Sequence, residues 1–180
     1  MIVDAVGRTG RLLDIGCGSG QLLIRCAKAS PGEYYGLDRW GEDWEYSRAQ
    51  AERNAVLEGV PELHFVQGSA SCLPFDDGQM QRVVSCLTFH EVRDVEDKTV
   101  GITEALRVLA AGGTFVFLDL FDDPRSYPGR EHVLETIERA GGEIESARAL
   151  PELLELRFPL GLGKVLGHAV LVAGTKRRAT

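Results

Sequence analysis

The stretch Leu13-Asp14-Ile15-Gly16-Cys17-Gly18-Ser19-Gly20 decides the fold, because it joins an apolar run to a helical pattern through three closely spaced glycines. Residues 11–15 have the pattern of a buried strand, and residues 21–29 place apolar side chains on one helical face. Glycines between a strand and a helix let a ligand approach the backbone, and the helix start offers unpaired N–H groups. The segment therefore predicts a ligand site after the first strand.

The spacing of the glycines separates two classes of ligand. A dinucleotide-binding loop has the pattern G-x-G-x-x-G, whereas here Gly20 comes one position early and Gln21 stands in its place. Asp14 adds an acidic group that disfavours a pyrophosphate and tolerates a cationic ligand. Asp38 ends the second predicted strand, 38 − 20 = 18 positions after Gly20. A carboxylate there can accept hydrogen bonds from both hydroxyls of a ribose, although an isolated Asp at a strand end is more often a turn residue or helix cap.

The rest of the chain alternates short apolar runs with helix-length amphipathic stretches. This alternation predicts a parallel sheet wrapped by helices, and the last two strands, with no helix between them, should form an antiparallel pair. We expect one α/β domain over residues 1–180, with three layers and a seven-stranded, mostly parallel sheet. The predicted strands are 11–15, 33–38, 63–67, 81–87, 114–121, 143–149 and 168–175, and the predicted helices are 21–29, 45–58, 97–109 and 130–140.

Charge and composition exclude several classes of partner. The net charge of −7 disfavours nucleic acid, since phosphate binding needs a basic face, and the basic cluster 176–178 is too short to change that. No apolar stretch is long enough to span a bilayer, and the N-terminus lacks the pattern of a signal peptide. The four histidines are not clustered with other ligand types, so no metal site is expected.

The cysteines indicate the redox compartment. None of the four forms a C-x-x-C pair, and all lie in or beside apolar runs. They are expected to be buried, reduced thiols, which is typical of a cytoplasmic protein. The four are Cys17, Cys26, Cys72 and Cys86.

Several segments together resemble the class I methyltransferases, which have a Rossmann-like fold and use S-adenosyl-L-methionine. Besides the glycine loop and Asp38, the resemblance rests on Leu73–Gly78, Val83–Val92 and Ala105–Gly113, and it covers residues 11–121 in order and spacing. It implies methyl transfer to an unidentified acceptor, a small molecule or an exposed side chain, of which we favour the small molecule, with S-adenosyl-L-homocysteine as product. Two alternatives are a catalytically inactive cofactor-binding regulatory protein and, less favoured by the glycine spacing, a nicotinamide-dependent oxidoreductase.

The resemblance assigns the first strand and its loop to the methionine and ribose parts of the cofactor. Gly16, Cys17, Gly18 and Gly20 would shape the loop beneath these parts. Asp14 would order that loop and assist the amino group.

The ribose and adenine are assigned to the ends of the second and third strands. Asp38 would bind the ribose diol, with Arg39 or Trp40 beside the adenine. Ser69 and Ala70 occupy the positions that contact the adenine edge. The family often has an acid where Ser69 stands, and a serine could make only a weaker contact.

The end of the fourth strand is assigned to the methionine ammonium and to the chemistry. Cys86 or Leu87 would offer a backbone carbonyl to the ammonium. Methyl transfer mainly needs positioning and exclusion of water, and a base is required only when the acceptor arrives protonated. His90 is a candidate for that base, but it equally suits a packing or capping role, which we favour.

The sequence does not show the helical pattern of the segment that usually covers the cofactor. The first strand begins about ten residues from Met1, where the family generally has one or more helices that cover the cofactor. Either the chain is a truncated form that lacks these helices, or another segment or subunit supplies the roof. The internal candidates are 39–46, 120–130 and 157–167, and one of the last two, which are rich in Pro and Gly, is expected to be mobile without ligand.

Overall fold

The computed structural model describes residues 1–7, 10–41, 46–155, 157, 159–160, 162 and 166–178. Within them, one seven-stranded sheet has the order β3-β2-β1-β4-β5-β7-β6. The strands are β1 (Leu12–Ile15), β2 (Tyr34–Asp38), β3 (His64–Gln67), β4 (Met80–Cys86), β5 (Leu109–Asp119), β6 (Gly142–Ala149) and β7 (Val170–Lys176). The helices are α1 (Ile2–Ala5), α2 (Gln21–Ala29), α3 (Arg48–Leu57), α4 (Thr99–Val108), α5 (Arg130–Arg139) and α6 (Leu150–Leu153), with a 3₁₀ turn, η1 (Phe89–Glu91).

The strand directions confirm the predicted fold class. Strands β1 to β5 pair in parallel, whereas β7 runs antiparallel to both β5 and β6. The last strand of the chain is therefore inserted between β5 and β6, and it does not lie at the edge. None of the described helices is both long enough and apolar enough to cross a membrane.

Helices cover both faces of the sheet and create two apolar cores. Alternate side chains of β4 and β5 point to opposite faces, so Val83 and Phe115 join the core under α4 and α5, whereas Val84 and Val116 join the other. This two-sided burial explains why the central strands are almost continuously apolar. The second core includes residues of α1, α2, α3 and α6.

The boundary between α4 and β5 differs from the prediction. The sequence predicts a helix ended by Gly112-Gly113 and a strand from 114, but α4 ends at Val108 and Leu109 is already extended. Leu109 pairs with Met80 ahead of a register shift in the β4–β5 ladder. Gly112, with a φ of 75°, lies within the irregular part of the strand. The glycine pair therefore accommodates a bulge rather than a helix end.

The N-terminal segment lies at the amino edge of the sheet, where the strands begin. The buried Arg82 of β4 donates hydrogen bonds to the carbonyls of Gly7 and Gly10, and Thr114 at the start of the regular part of β5 donates to the carbonyl of Val6. Helix α1 is thus attached to the edge opposite the carboxyl ends of the parallel strands.

The cysteines do not all match the prediction. Cys17 and Cys26 are buried free thiols, and Cys86 is partly buried. The expectation of burial is wrong for Cys72, which is exposed in the turn after β3, where the chain reverses to form a bridge with Ser69.

Candidate active site

A cavity of about 240 Å³ lies at the carboxyl ends of the first four strands. The strand order reverses between β1 and β4, and open α/β sheets bind ligands in the crevice at such a point. Eight of the predicted cofactor-binding residues line the cavity: Gly16, Gly18, Asp38, Arg39, Ser69, Ala70, Cys86 and Leu87. The other lining residues are Leu37, Tyr46, Gly68, Thr88, Glu91, Val92, Arg93 and Asp94.

The glycine loop takes a left-handed conformation at each of its three glycines. Gly16, Gly18 and Gly20 have φ values of 74°, 53° and 84°, which L-residues with a Cβ rarely adopt. A Cβ on Gly16 would lie 2.0 Å from Oγ1 of Thr88, so the loops after β1 and β4 are in close contact there. Gly20 is the N-cap of α2 and does not itself line the cavity.

Asp38 is fixed by the loop that it faces. Its Oδ2 accepts from the backbone N–H of Gly18 at 2.8 Å, and its Oδ1 accepts from the backbone N–H of Trp40 at 3.1 Å. A carboxylate has about four acceptor sites, so each oxygen retains capacity for one more donor. The arrangement holds an acceptor pair at the cavity wall, as binding of a diol requires.

Trp40 lies behind the loop and does not line the cavity. Its Nε1–H donates to the carbonyl of Gly18 at 2.9 Å, and its ring meets Phe65 edge to face at 6.2 Å. Its φ of 36° is unusual for a residue with a side chain, and such strain is maintained only by surrounding contacts. Of the two residues predicted beside the adenine, Arg39 is therefore the one on the cavity surface.

Asp14 and Cys17 are buried and do not line the cavity. Asp14 is 1% exposed, and the backbone N–H of Leu23 in the first turn of α2 hydrogen-bonds to it. Its Oδ2 has no hydrogen-bond partner in the part of the protein that the structure describes. Burial raises the pKa of Asp14 to about 8, the Leu23 bond opposes this shift, and the charge of Asp38 adds to it.

Asp119, at the end of β5, organises the segment after β4. This fully buried carboxylate accepts at Oδ2 from the backbone N–H groups of Thr88 and Phe89, at 3.0 and 2.7 Å. Its Oδ1 accepts from the N–H of Leu120 and lies 2.6 Å from Nδ1 of His90. No sequence motif assigns a role to Asp119, although an acid that ends an apolar strand is a visible signal.

The contact with Asp119 sets the orientation and charge of His90. Because the carboxylate accepts from Nδ1, the second nitrogen, Nε2, is directed elsewhere and lies 3.4 Å from Oε1 of Glu91. Burial disfavours the charged ring, but the bond to Asp119 and the charges of Asp119, Glu91 and Asp123 outweigh it, so the pKa of His90 is raised. His90 is not among the residues that line the described cavity, whereas its neighbours Thr88 and Glu91 are.

Cys86, the last residue of β4, and Leu87, which follows it, line the cavity where the backbone is unusual. Leu87 has a φ of 56°, and its N–H donates to the carbonyl of Leu118 at 2.7 Å. The carbonyl of Cys86 accepts from the hydroxyl of Thr88 at 3.3 Å. The chain therefore turns sharply at the point where the sequence predicts a carbonyl directed to an ammonium.

Asp94 lies beside the predicted adenine-binding segment. It belongs to the loop between η1 and α4, and its Oδ2 accepts from the hydroxyl of Ser71 at 2.9 Å. Ser71 is in turn 2.9 Å from Ser69, hydroxyl to hydroxyl. Asp94 could not be predicted from the sequence, since no spacing rule relates it to Ser69, 94 − 69 = 25 residues earlier.

The charges in the cavity wall do not favour a polyphosphate. Within the part of the wall that the structure describes, Asp38, Glu91 and Asp94 supply three acidic groups, against the two basic groups of Arg39 and Arg93. A pyrophosphate would need the opposite balance, whereas a ligand that carries cationic groups is accommodated.

Residues 120–130, one of the segments that could cover the cofactor, are held by hydrogen bonds and packing. In residues 120–130, Nε of Arg130 donates to Asp122 at 2.9 Å, and the buried Asp123 accepts from the backbone N–H of Arg125 at 3.0 Å. Tyr127 is buried against Phe121, edge to face at 5.3 Å. Residues 42–45 of the first candidate, and several residues of 157–167, lie outside the described part of the chain.

Sequence comparison places the chain among methyltransferases. Residues 13–117 match a family model described as a methyltransferase domain. A demethylmenaquinone methyltransferase of Thermus thermophilus is 32% identical over 157 residues, which are 83% of this chain and 67% of that protein. A 2-phytyl-1,4-naphtoquinone methyltransferase of Trichormus variabilis is 29% identical over 163 residues, or 85% and 67% of the two chains. This chain spans 67% of the length of each of these two relatives, and 36% of the length of a fatty-acid O-methyltransferase of Mycolicibacterium smegmatis to which it is also similar.

Structural comparison agrees on the fold. A geranyl diphosphate C-methyltransferase from Streptomyces coelicolor, solved with S-adenosyl-L-homocysteine, superposes with a TM-score of 0.74 at 17% identity. The superposition covers 97% of this chain and 76% of that one. The glycine loop, the carboxylate that ends β2 and the antiparallel β7 thus occur in a chain whose sequence relatives transfer methyl groups. The chain belongs to the class I, S-adenosyl-L-methionine-dependent methyltransferases.

Proposed function

We propose that this chain transfers a methyl group from S-adenosyl-L-methionine to a small organic acceptor. The observation that carries the proposal is the carboxylate of Asp38, held by Gly18 and Trp40 at the wall of a cavity that the glycine loop also lines. The names of the quinone-biosynthesis relatives support a small-molecule acceptor. Among the described lining residues, acidic groups outnumber basic ones, which argues against a polyphosphate ligand.

The described residues fit S-adenosyl-L-methionine. Asp38 would accept from the ribose hydroxyls with its remaining lone pairs, and Arg39, Ser69 and Ala70 would contact the adenine. Gly16 and Gly18 would let the cofactor approach the backbone. The backbone carbonyl of Cys86 or Leu87 would accept from the methionine ammonium.

Two further predicted residues would act from behind the cavity. Asp14, whose Oδ2 has no partner among the described residues, would provide an acidic group near the cationic end of the ligand, and it would order the loop through α2. Trp40, Cys17 and Gly20 would support the loop's conformation without touching the cofactor.

The chemistry asks little of the protein beyond positioning. The bound cofactor supplies a methyl group already activated by the sulfonium centre. The chain's task is to hold an acceptor in line with that group and to exclude water, an effect that can supply about 7–11 kcal/mol of the barrier. His90, oriented by Asp119, would position the loop after β4, and its Nε2 could take a proton from an acceptor that arrives protonated.

We also infer a cytoplasmic setting for this reaction. Cys17 and Cys26 are buried free thiols, which is the usual state of cysteines in a reducing compartment.

A thermal-shift comparison tests the proposal directly. S-adenosyl-L-homocysteine at a hundredfold excess over its Kd should stabilise the native state by about 2.7 kcal/mol, which raises Tm by roughly 5–10 °C in a chain of this length. NAD at the same concentration should leave Tm unchanged. A shift with NAD and none with S-adenosyl-L-homocysteine would refute the proposal.

The ribose contact is tested by substitution. Asp38→Ala should weaken binding of S-adenosyl-L-homocysteine by about 1.5–3 kcal/mol, since it removes hydrogen bonds to a charged acceptor. Calorimetry measures this change, and circular dichroism of the variant shows whether the fold is retained. Unchanged affinity in a folded variant would remove Asp38 from the site.

A further inference from the structure

Asp94 is held at one end of the cavity by a chain of hydroxyl groups. The backbone N–H of Ser71 donates to Oγ of Ser69 at 3.2 Å, which fixes the two serines relative to each other. The hydroxyl of Ser71 then donates to Oδ2 of Asp94 at 2.9 Å. All three residues belong to loops at the carboxyl edge, and both Ser69 and Asp94 line the cavity.

The surroundings keep this carboxylate ionised. The hydrogen bond from Ser69 lowers the pKa of Asp94, the bond from Ser71 and the positive charge of Arg39 act in the same direction, and burial opposes them only in part. An ionised carboxylate can only accept hydrogen bonds. Asp94 therefore offers an acceptor to whatever occupies this end of the cavity.

The strand order defines which part of the cofactor reaches Asp94. If the ribose is bound by Asp38 at the end of β2, the methionine extends over β1 to Cys86 at the end of β4. The base must then extend the other way, past Arg39 to the loop after β3, because β3 is the neighbour of β2 on that side. The loop after β3 carries Ser69, and Asp94 lies against it.

We propose that Asp94 accepts a hydrogen bond from the exocyclic amino group of the adenine and thereby selects adenine over bases with an oxygen at that position. The inference rests on the proposed cofactor site. Ser69, which stands where relatives often have an acid, acts as a positioning residue, and the carboxylate comes from a loop 25 residues later in the chain. A carbonyl oxygen in place of the amino group would face the carboxylate without a proton between them.

Calorimetry with two ligands tests the proposal. S-adenosyl-L-homocysteine carries the amino group, whereas S-inosyl-L-homocysteine carries a carbonyl oxygen there and is otherwise nearly the same. The unaltered protein should prefer the adenine ligand. Asp94→Asn should weaken the adenine ligand by roughly three- to tenfold, the effect of one hydrogen bond at a partly exposed site, and should not weaken the inosine ligand.

Two control variants separate this effect from general damage. Asp38→Ala should weaken both ligands by the same factor, since both contain the ribose. Asp76→Asn, in the exposed turn before β4, should alter neither. The selectivity ratio between the ligands should therefore change in Asp94→Asn alone.

The outcomes distinguish failure of the role of Asp94 from failure of the proposed cofactor site. The role of Asp94 is overturned if Asp94→Asn leaves the selectivity ratio between the two ligands unchanged, whether both affinities fall together or neither falls. In that case, binding by the unaltered protein and its loss in Asp38→Ala still support the cofactor site. If the unaltered protein binds neither ligand, the proposed function itself fails, and the inference fails with it.

Discussion

Asp14 and Asp119 are both almost completely buried carboxyl groups, yet their environments differ. Asp119 accepts hydrogen bonds from three backbone N–H groups and from His90, so its lone pairs are used. Within the described ranges, Asp14 has the backbone donor Leu23, and its Oδ2 has no partner. Burying a charge without partners is costly, and protonation avoids that cost. Hence the pKa of Asp14 rises to about 8, and the group is mostly neutral at pH 7 in the free protein.

This shift predicts a pH dependence of stability. Between the unfolded value of 3.8 and the folded value of about 8, the native state holds a proton that the unfolded chain has lost. The contribution of Asp14 therefore falls as pH rises through that window, by at most about 1.4 kcal/mol per pH unit. Asp14→Asn cannot ionise, so its free energy of unfolding relative to the unaltered protein should increase from pH 5 to pH 8.

Urea unfolding at several pH values measures this difference. The exposed Asp76→Asn serves as the matched control and should follow the unaltered protein at every pH. Parallel curves for Asp14→Asn and the unaltered protein would show that Asp14 ionises normally.

The contacts of His90 suit a role in positioning the loop after β4 better than contact with the methyl acceptor. Its side chain is 16% exposed, and its Nε2 is near Glu91. Loss of a general base usually lowers turnover by roughly 10²–10⁴-fold. We expect His90→Ala to lower turnover by less than about a hundredfold, with little change in affinity for S-adenosyl-L-homocysteine. Single-turnover rates against pH, on any acceptor that the protein methylates, decide the matter. A larger drop, with loss of one ionisation from the profile, would identify His90 as the base.

Among the elements, the glycine loop offers a comparison of two similar positions. Gly16 and Gly20 both have a strongly positive φ, but a Cβ at Gly20 would make only ordinary contacts, at 3.5 Å from Ile24 and Phe65. A Cβ at Gly16 would collide with Thr88. Gly20→Ala should therefore cost only the left-handed conformation, about 1–2 kcal/mol. Gly16→Ala should cost that and the clash as well, and denaturant unfolding should show the larger loss. Equal losses would mean that the two loops are not in close contact.

Long, periodic elements were predictable from the sequence, and short ones were not. The nine residues of α2 match the prediction, and α3 begins later than predicted because Ser47 caps it, its Oγ accepting from Gln50 at 3.3 Å. Helices α1 and α6 contain four residues each, too few for an apolar period to appear. The antiparallel pair was predictable, but the insertion of β7 next to β5 depends on long-range pairing.

At the scale of the whole molecule, too, local sequence patterns predict one part of the site and miss the part that depends on long-range contacts. Asp38 could be proposed from its distance to the glycine loop, because both belong to one strand–helix–strand unit. Asp94 and Asp119 could not, since their partners lie about 20–30 residues away along the chain and meet them only after the sheet has formed. Loop contacts across a sheet edge depend on the positions of several strands at once, and no local spacing encodes them.

The molecule also leaves the question of what covers the cofactor's methyl group. Helix α1 is attached to the amino edge, whereas the cavity opens at the carboxyl edge. Among the described segments, 120–130 lies at the carboxyl edge and is held by the pairs Asp122–Arg130 and Asp123–Arg125. We therefore keep two alternatives: a segment of this chain, 120–130 or 157–167, closes over the bound cofactor, or the cover comes from outside these segments, as from another subunit.

Hydrogen exchange with and without S-adenosyl-L-homocysteine distinguishes these alternatives. If the chain closes its own site, amides in 120–130 or 157–167 should gain protection on binding, because ordering a covering segment removes its local openings. Amides of α1, on the opposite edge, should exchange at an unchanged rate and provide the internal reference. If neither segment gains protection, the second alternative holds. Some cover is needed in either case, since an acceptor that is not enclosed loses most of the advantage of being held in line with the methyl group.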